Sequence, residues 1–152
     1  MRPNQLARHA LSAFCALALA STATLTAPMP WLAVAMDEAG SLVAVFDPSG
    51  TGSALQPFDP AFTGGVRVAL GDVDGDGRAE VVTGSGPGMV ATLRVFDAED
   101  LQPEAQFQPF GPDFRGGIHV ATGDLDGDGR PDLVVGTGSG GAVVRVLDGR
   151  TG

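Results

Sequence analysis

A short acidic segment that occurs twice in this chain constrains its fold more than any other feature. Residues Asp72–Glu80 are Asp-Val-Asp-Gly-Asp-Gly-Arg-Ala-Glu, and 52 residues later Asp124–Asp132 are Asp-Leu-Asp-Gly-Asp-Gly-Arg-Pro-Asp. The similarity continues upstream, where Gly65–Ala69 aligns with Gly117–Ala121. A chain that repeats itself at a fixed spacing is expected to fold as a row of similar structural units.

The repeat divides the chain into three units behind an N-terminal leader. We predict a complete repeat over residues 66–117, a partial first repeat over 31–65 and a partial last repeat over 118–152. The first unit lacks the acidic segment, and the last stops shortly after its third predicted strand. Because the last unit ends inside a repeat, we expect the chain to be a fragment of a longer protein.

Each repeat contains short runs typical of β-strands. In Val66–Leu70, apolar residues alternate with Arg67 and Ala69, the period of a strand with one buried face. The 23 glycines and 11 prolines favour tight turns between short strands. We therefore predict an all-β fold, a partial β-propeller of tandem four-stranded blades, with about two and a half repeats of ~52 residues. The predicted strands of the complete repeat are 66–70, 80–83, 92–97 and 106–110. In the first repeat, 31–36, 42–46 and 54–58 are expected to be the second, third and fourth strands of a blade, with the first strand missing.

The acidic segments have the spacing of calcium-binding hairpin loops. Carboxylates at positions 1, 3 and 5 can point inward together, and Gly77 at position 6 allows the sharp turn. This set offers only hard oxygen atoms, which favours Ca²⁺ over transition metals. We predict about one ion per loop, with both arginines acting through their backbone carbonyls. The predicted ligands are Asp72, Asp74, Asp76, Arg78 and Glu80 in the first loop, and Asp124, Asp126, Asp128, Arg130 and Asp132 in the second.

Two other interpretations of these loops are open from the sequence. An EF-hand needs flanking helices and a Glu at position 12, where this chain has Thr83 and Val135. An acidic, solvated turn without a metal would also fit one loop, although two copies at a fixed spacing argue for a ligand.

The sequence contains no recognisable pair of nucleophile and base, so we predict no catalytic residues and no enzyme activity.

The chain resembles the FG-GAP/VCBS repeats, whose best-known members form the β-propeller of integrin α-subunits. The resemblance rests on Gly64-Gly65, the segment Gly71–Glu80, the strand residues Val81-Val82 and the turn Gly84–Gly88, with counterparts in the next repeat. It implies that the acidic loop joins the first two strands of a blade and binds Ca²⁺. It also implies a scaffold for adhesion or ligand binding. Glu80 stands where the family usually has Asp.

The N-terminus is typical of a secretory signal peptide. Arg2 and Arg8 provide positive charge, residues 10–20 form an apolar run, and Ala18-Leu19-Ala20 has the form of a cleavage site. We assign residues 1–27 to this signal, with cleavage between 20 and 27. The run is shorter than the ~20 residues that span a bilayer. We therefore expect a secreted or cell-surface protein with no membrane span in its mature part.

Charge and the repeat pattern together limit the expected partners. The 18 acidic residues exceed the 9 basic ones, for a net charge of −9, which argues against nucleic acid, since Lys and Arg drive phosphate binding. We predict a calcium-binding, exported, non-catalytic scaffold. Its expected partners are neighbouring propeller repeats of a longer chain or further copies of itself, and an extracellular protein or glycan. The alternatives are an accessory propeller domain of a larger secreted enzyme and a carbohydrate-binding propeller.

Overall fold

The structure, a computed structural model, describes residues 30–36 and 40–149, so the predicted signal peptide lies outside the described residues. Within these two ranges the chain forms ten strands and no helix, and thus presents no helix that could cross a membrane. The strands are β1 (Leu32–Ala35), β2 (Val43–Phe46), β3 (Gly52–Leu55), β4 (Val66–Gly71), β5 (Glu80–Ser85), β6 (Leu93–Asp97), β7 (Pro103–Phe107), β8 (Ile118–Gly123), β9 (Asp132–Thr137) and β10 (Val144–Leu147).

The strands make three antiparallel sheets, one for each repeat. The first sheet has the order β1-β2-β3, the central sheet β4-β5-β6-β7 and the third sheet β8-β9-β10. Neighbouring strands in each sheet follow one another in sequence, as in the meander of a propeller blade. The predicted all-β fold and the partial propeller of tandem blades are therefore confirmed. The described sheets do not close into a barrel.

The strand registers show which strands of the three sheets are equivalent. Val81 lies opposite Phe96 in the central sheet, Leu32 lies opposite Phe46 in the first, and Leu133 lies opposite Leu147 in the third. Strand β1 therefore corresponds to β5 and β9, which are the second strands of their sheets. This agrees with the prediction that residues 31–36 form the second strand of a blade.

The predicted fourth strands are displaced in the structure. Residues 106–110 and 54–58 were expected to be strands. In the structure β7 begins and ends three residues earlier than expected, and β3 begins two residues and ends three residues earlier. The physical reason is the Gln-Pro-Phe sequence, because Pro57 and Pro109 have no N–H to donate to a ladder. Each following phenylalanine instead packs edge-on against a second one in the connection to the next sheet, Phe58 on Phe62 and Phe110 on Phe114.

Two apolar cores lie between the sheets. Because side chains alternate across a strand, Val81 points into the first core and Val82 into the second, and both are fully buried. Burial of a side chain of this size stabilises the fold by about 1.5–3 kcal/mol. The first core includes Val43 and Val45 of the first sheet with Val66, Val81 and Phe96 of the central sheet. The second core includes Val82, Leu93 and Val95 of the central sheet with Ile118, Leu133 and Val135 of the third.

Candidate metal centres

The first acidic loop is the hairpin between β4 and β5. Gly71 and Glu80 are partners in the ladder, so residues 72–79 form the connection. The predicted turn at Gly77 is present, with φ of 90°, and Gly75 makes a second one with φ of 78°. Residues with a Cβ rarely adopt this left-handed conformation, whereas glycine adopts it readily. The two glycines therefore let the chain fold back within a few residues.

The aspartates of this loop are held by the backbone of the loop itself. The N–H of Asp76 donates to Asp74 Oδ1 at 3.0 Å, and the N–H of Arg78 donates to Asp76 Oδ1 at 2.8 Å. The N–H of Gly77 donates to Asp72 Oδ2 at 3.0 Å. Each of these bonds uses one oxygen of an aspartate, and Asp76 Oδ2 also lies 4.0 Å from Arg78 Nε. One oxygen from each of Asp72, Asp74, Asp76 and Glu80 lies within 4.8 Å of the others.

A buried oxygen of Asp72 and the buried side chain of Glu80 indicate that the first loop is suited to a cation. Asp72 Oδ1 is buried and has no hydrogen-bond partner, and an unsatisfied buried oxygen is unfavourable unless a ligand reaches it. Glu80 is 1% exposed. Burial raises its pKa from 4.5 to about 7, and the Asp74 and Glu104 carboxylates add to this rise, while the Val73 N–H, donating at 2.6 Å, opposes it. A cation among these oxygens would favour their charged forms.

The second acidic loop, between β8 and β9, repeats most of this geometry. The N–H groups of Asp128 and Arg130 donate to Asp126 and Asp128 at 3.0 and 2.8 Å, and the N–H of Gly129 donates to Asp124 Oδ2 at 3.0 Å. One oxygen from each of Asp124, Asp126 and Asp128 lies within 4.8 Å of the others. These residues could hold a metal ion by the same chemistry.

The two loops differ at the last predicted ligand and in burial. Asp132 accepts the N–H of Leu125 at 3.0 Å, as Glu80 does that of Val73, but it is outside the group of close oxygens. Asp is one methylene shorter than Glu, and Asp132 is only half-buried. The three aspartates of the second loop are exposed, whereas Asp72 is half-buried. The first loop therefore has the more complete and better shielded set of oxygens.

The two arginines have side-chain contacts that the repeat pattern does not predict. The exposed side chain of Arg78 pairs with the largely buried Asp97 at 3.6 Å and with the exposed Glu99 at 3.5 Å. Exposed ion pairs such as the one with Glu99 contribute about 1 kcal/mol or less. Arg130 reaches from the second loop to the first, since a Cβ built on Gly75 would lie 2.7 Å from its Nε atom. The predicted role of both backbone carbonyls as ligands stays a prediction.

One carboxylate near the first loop could not be identified from the motif. Glu104 lies on β7, outside the acidic segment, and its pKa is raised by desolvation and by Asp74, Asp97 and Asp76. The Glu104 carboxylate adds negative potential on the side of the first loop that faces β7, the fourth strand of the central sheet. The third sheet has no described fourth strand, so the repeat pattern alone carries no signal for such a residue.

A comparison with known families connects this geometry to a repeat class. The family model described as FG-GAP repeat matches residues 64–97 and 116–151. Each match contains one acidic loop with the two strands that flank it and the third strand of the same sheet. No curated protein and no solved structure matches the chain.

Proposed function

We propose, on the premise that this chain carries two FG-GAP repeats, that it is an exported, calcium-binding scaffold without catalytic activity. FG-GAP repeats form propeller-type scaffolds and are generally non-catalytic. The acidic loops of this chain would each hold one ion. Its sheets would present a rigid surface for adhesion to, or binding of, an extracellular protein or glycan.

The unpartnered oxygen of Asp72 is the observation that carries the calcium proposal. It is buried and has no hydrogen-bond partner, and one oxygen of the Asp72 carboxylate lies within 4.8 Å of oxygens of Asp74, Asp76 and Glu80. This set contains oxygen atoms only, without imidazole or thiolate, and Ca²⁺ prefers such ligands. Because each aspartate is also tied to the loop backbone, the ion would stabilise the hairpin between two strands. Its role would therefore be structural.

Calorimetric titration of the metal-free protein is expected to give about two Ca²⁺ per chain. The first loop should bind more tightly, since its oxygens are more buried and include Glu80. Affinities of roughly 10⁻⁴ to 10⁻³ M are typical of extracellular calcium modules. The double variant Asp74→Ala, Asp76→Ala should lose the tighter site and retain about one ion.

The matched control for this titration is Asp113→Ala, which removes an exposed carboxylate outside both loops. It should bind calcium as the unaltered chain does. The calcium proposal fails if the unaltered protein shows no calcium-dependent heat. It also fails if the double variant and the control bind the same number of ions.

Export is proposed from the N-terminal segment, residues 1–27, and it would bring the acidic loops into an environment where calcium is plentiful. Fusion of residues 1–35 to a reporter that is active only outside the cytoplasm should give reporter activity and a shortened product. A matched fusion of residues 28–35 should give neither. Retention of the intact longer fusion in the cytoplasm would contradict export.

A further inference from the structure

The outer face of the third sheet exposes apolar side chains that a propeller blade normally buries. Val144 and Val146 on β10 are 68% and 53% exposed, and Leu125, near the start of the second acidic loop, is 61% exposed. Val146 lies opposite Val134 in the ladder, so that both point to the same side. We call this surface, formed by Leu125, Val134, Val144 and Val146, the open trailing face.

Each residue of the open trailing face has a buried counterpart in the central sheet. Strand β10 pairs with β9 in the same register as β6 pairs with β5. Val146 therefore corresponds to Val95, and Val144 corresponds to Leu93. Leu93 is 0% exposed and Val95 2%, because both lie in the second core against the third sheet. Leu125, in turn, corresponds to Val73 of the first loop, which is buried in the same core. The open trailing face is therefore a core surface whose covering sheet is absent from the described residues.

The first sheet exposes the complementary surface at the opposite end of the row. Leu32 is 41% exposed, although its counterparts Val81 and Leu133 are fully buried. The register of β1 with β2 places Phe46 opposite Leu32, and neither residue belongs to the core that the first sheet shares with the central sheet. Val34, two residues after Leu32, points to the same side. We call Leu32, Val34 and Phe46 the open leading face.

The chain already contains two examples of how such faces fit together. In each sheet, the trailing face is the one turned towards the next repeat and the leading face the one turned towards the previous repeat. The trailing face of the first sheet packs on the leading face of the central sheet in the first core, and the trailing face of the central sheet packs on the leading face of the third sheet in the second core. The two remaining faces belong to the same chain but lie at opposite ends, in the first and third sheets. We propose that the open trailing face of one copy docks on the open leading face of a second copy, in a head-to-tail assembly.

This contact is heterologous, so it produces a ring if its rotation closes. Two copies supply twice the three sheets that residues 30–36 and 40–149 form, a number within the roughly 4–8 blades of a closed propeller. In that ring, each copy covers both open faces of the other. The inference rests on sheet packing and goes beyond the proposed calcium binding.

Sedimentation of the purified full chain in excess calcium should show a dimer over roughly 1–100 µM, a range suited to modest interfaces. Val146→Asp on the trailing face and Leu32→Asp on the leading face should each abolish the ring, because each buries a charge in an apolar contact. Mixing the two variants should restore a complex of one copy of each, since one pair of unaltered faces remains. Gln102→Asp, which adds the same charge to an exposed turn of the central sheet, should leave the dimer unchanged.

Three results would overturn the inference. The unaltered chain could be monomeric over the whole concentration range. Alternatively, both face variants could associate as the unaltered chain does, which would show that strand edges or the leader, rather than the two open faces, hold the copies together. The mixed variants could also fail to form a complex although circular dichroism shows that both are folded. The third result distinguishes head-to-tail docking from nonspecific attraction between apolar patches.

Discussion

Replacement of Gly86 by alanine is expected to lower the free energy of unfolding by more than about 3 kcal/mol. A Cβ at this position would lie 1.7 Å from the carbonyl oxygen of Gly64, and because that oxygen is a backbone atom, no flexible side chain can move aside to relieve the overlap. The N–H of Gly86 donates to the carbonyl of Gly65 at 2.9 Å, and the next repeat forms the same bond between Gly138 and Gly117. The substitution would separate the end of β5 from the segment that leads into β4.

The measurement is chemical denaturation followed by the fluorescence of Trp31, the single tryptophan, which packs against the first core. Gly123→Ala is the matched control, since a Cβ there meets nothing within 4 Å and no positive φ is involved. It should change stability by less than about 1 kcal/mol. If Gly86→Ala were as stable as this control, the close backbone approach would not exist in solution.

Replacement of Glu80 by glutamine is expected to have opposite effects on the metal-free and the calcium-bound protein. In the unfolded chain Glu80 loses its proton near pH 4.5, whereas in the metal-free folded protein its pKa is about 7. The folded state therefore holds more protons between these values, and stability must fall as pH rises through this window. At about 1.4 kcal/mol per pKa unit, the loss well above pH 7 is on the order of 3 kcal/mol.

Glutamine removes this loss, because a neutral amide has no charge to desolvate and its oxygen can still accept the Val73 N–H. Metal-free Glu80→Gln should thus be more stable than the unaltered protein at pH 8 and about equal to it at pH 4. In calcium the order should reverse, since the first loop loses a charged ligand and with it the stabilisation that bound ions provide. Thermal unfolding with and without a chelator at the two pH values tests both expectations.

The control is Asp132→Asn, the equivalent change in the second loop, where the carboxylate is half-buried and outside the close group of oxygens. Asp132→Asn should change the stability less than Glu80→Gln does, both in the metal-free and in the calcium-bound protein. Equal pH dependence of the metal-free unaltered protein and Glu80→Gln would show that burial does not hold the proton on Glu80. Unchanged calcium stabilisation in Glu80→Gln would remove this residue from the predicted ligands.

The parts of the fold that depend on neighbours in sequence could be predicted from the repeat. The loop aspartates accept hydrogen bonds from N–H groups two or five residues ahead, so their spacing alone specifies the tight turn. Period-2 alternation likewise predicted a strand at Val66–Leu70, which the structure shows as Val66–Gly71, because the alternation reports a face that will be buried. The fourth strands were misplaced since the aromatic residues after Pro57 and Pro109 were taken for strand residues, whereas they pack in the connections between sheets.

The sequence by itself determined the repeat unit, the all-β class and the candidate ligands, since each is encoded within a few residues. Only the tertiary structure decided how the two nearly identical loops differ. The first loop lies beside the second, whose Arg130 packs on Gly75, and its Glu80 is buried, whereas the described residues place no further repeat beside the second loop. The same holds for Val95 and Val146, which occupy equivalent positions but are 2% and 53% exposed. Burial depends on which sheet packs alongside, and no local pattern records that neighbour.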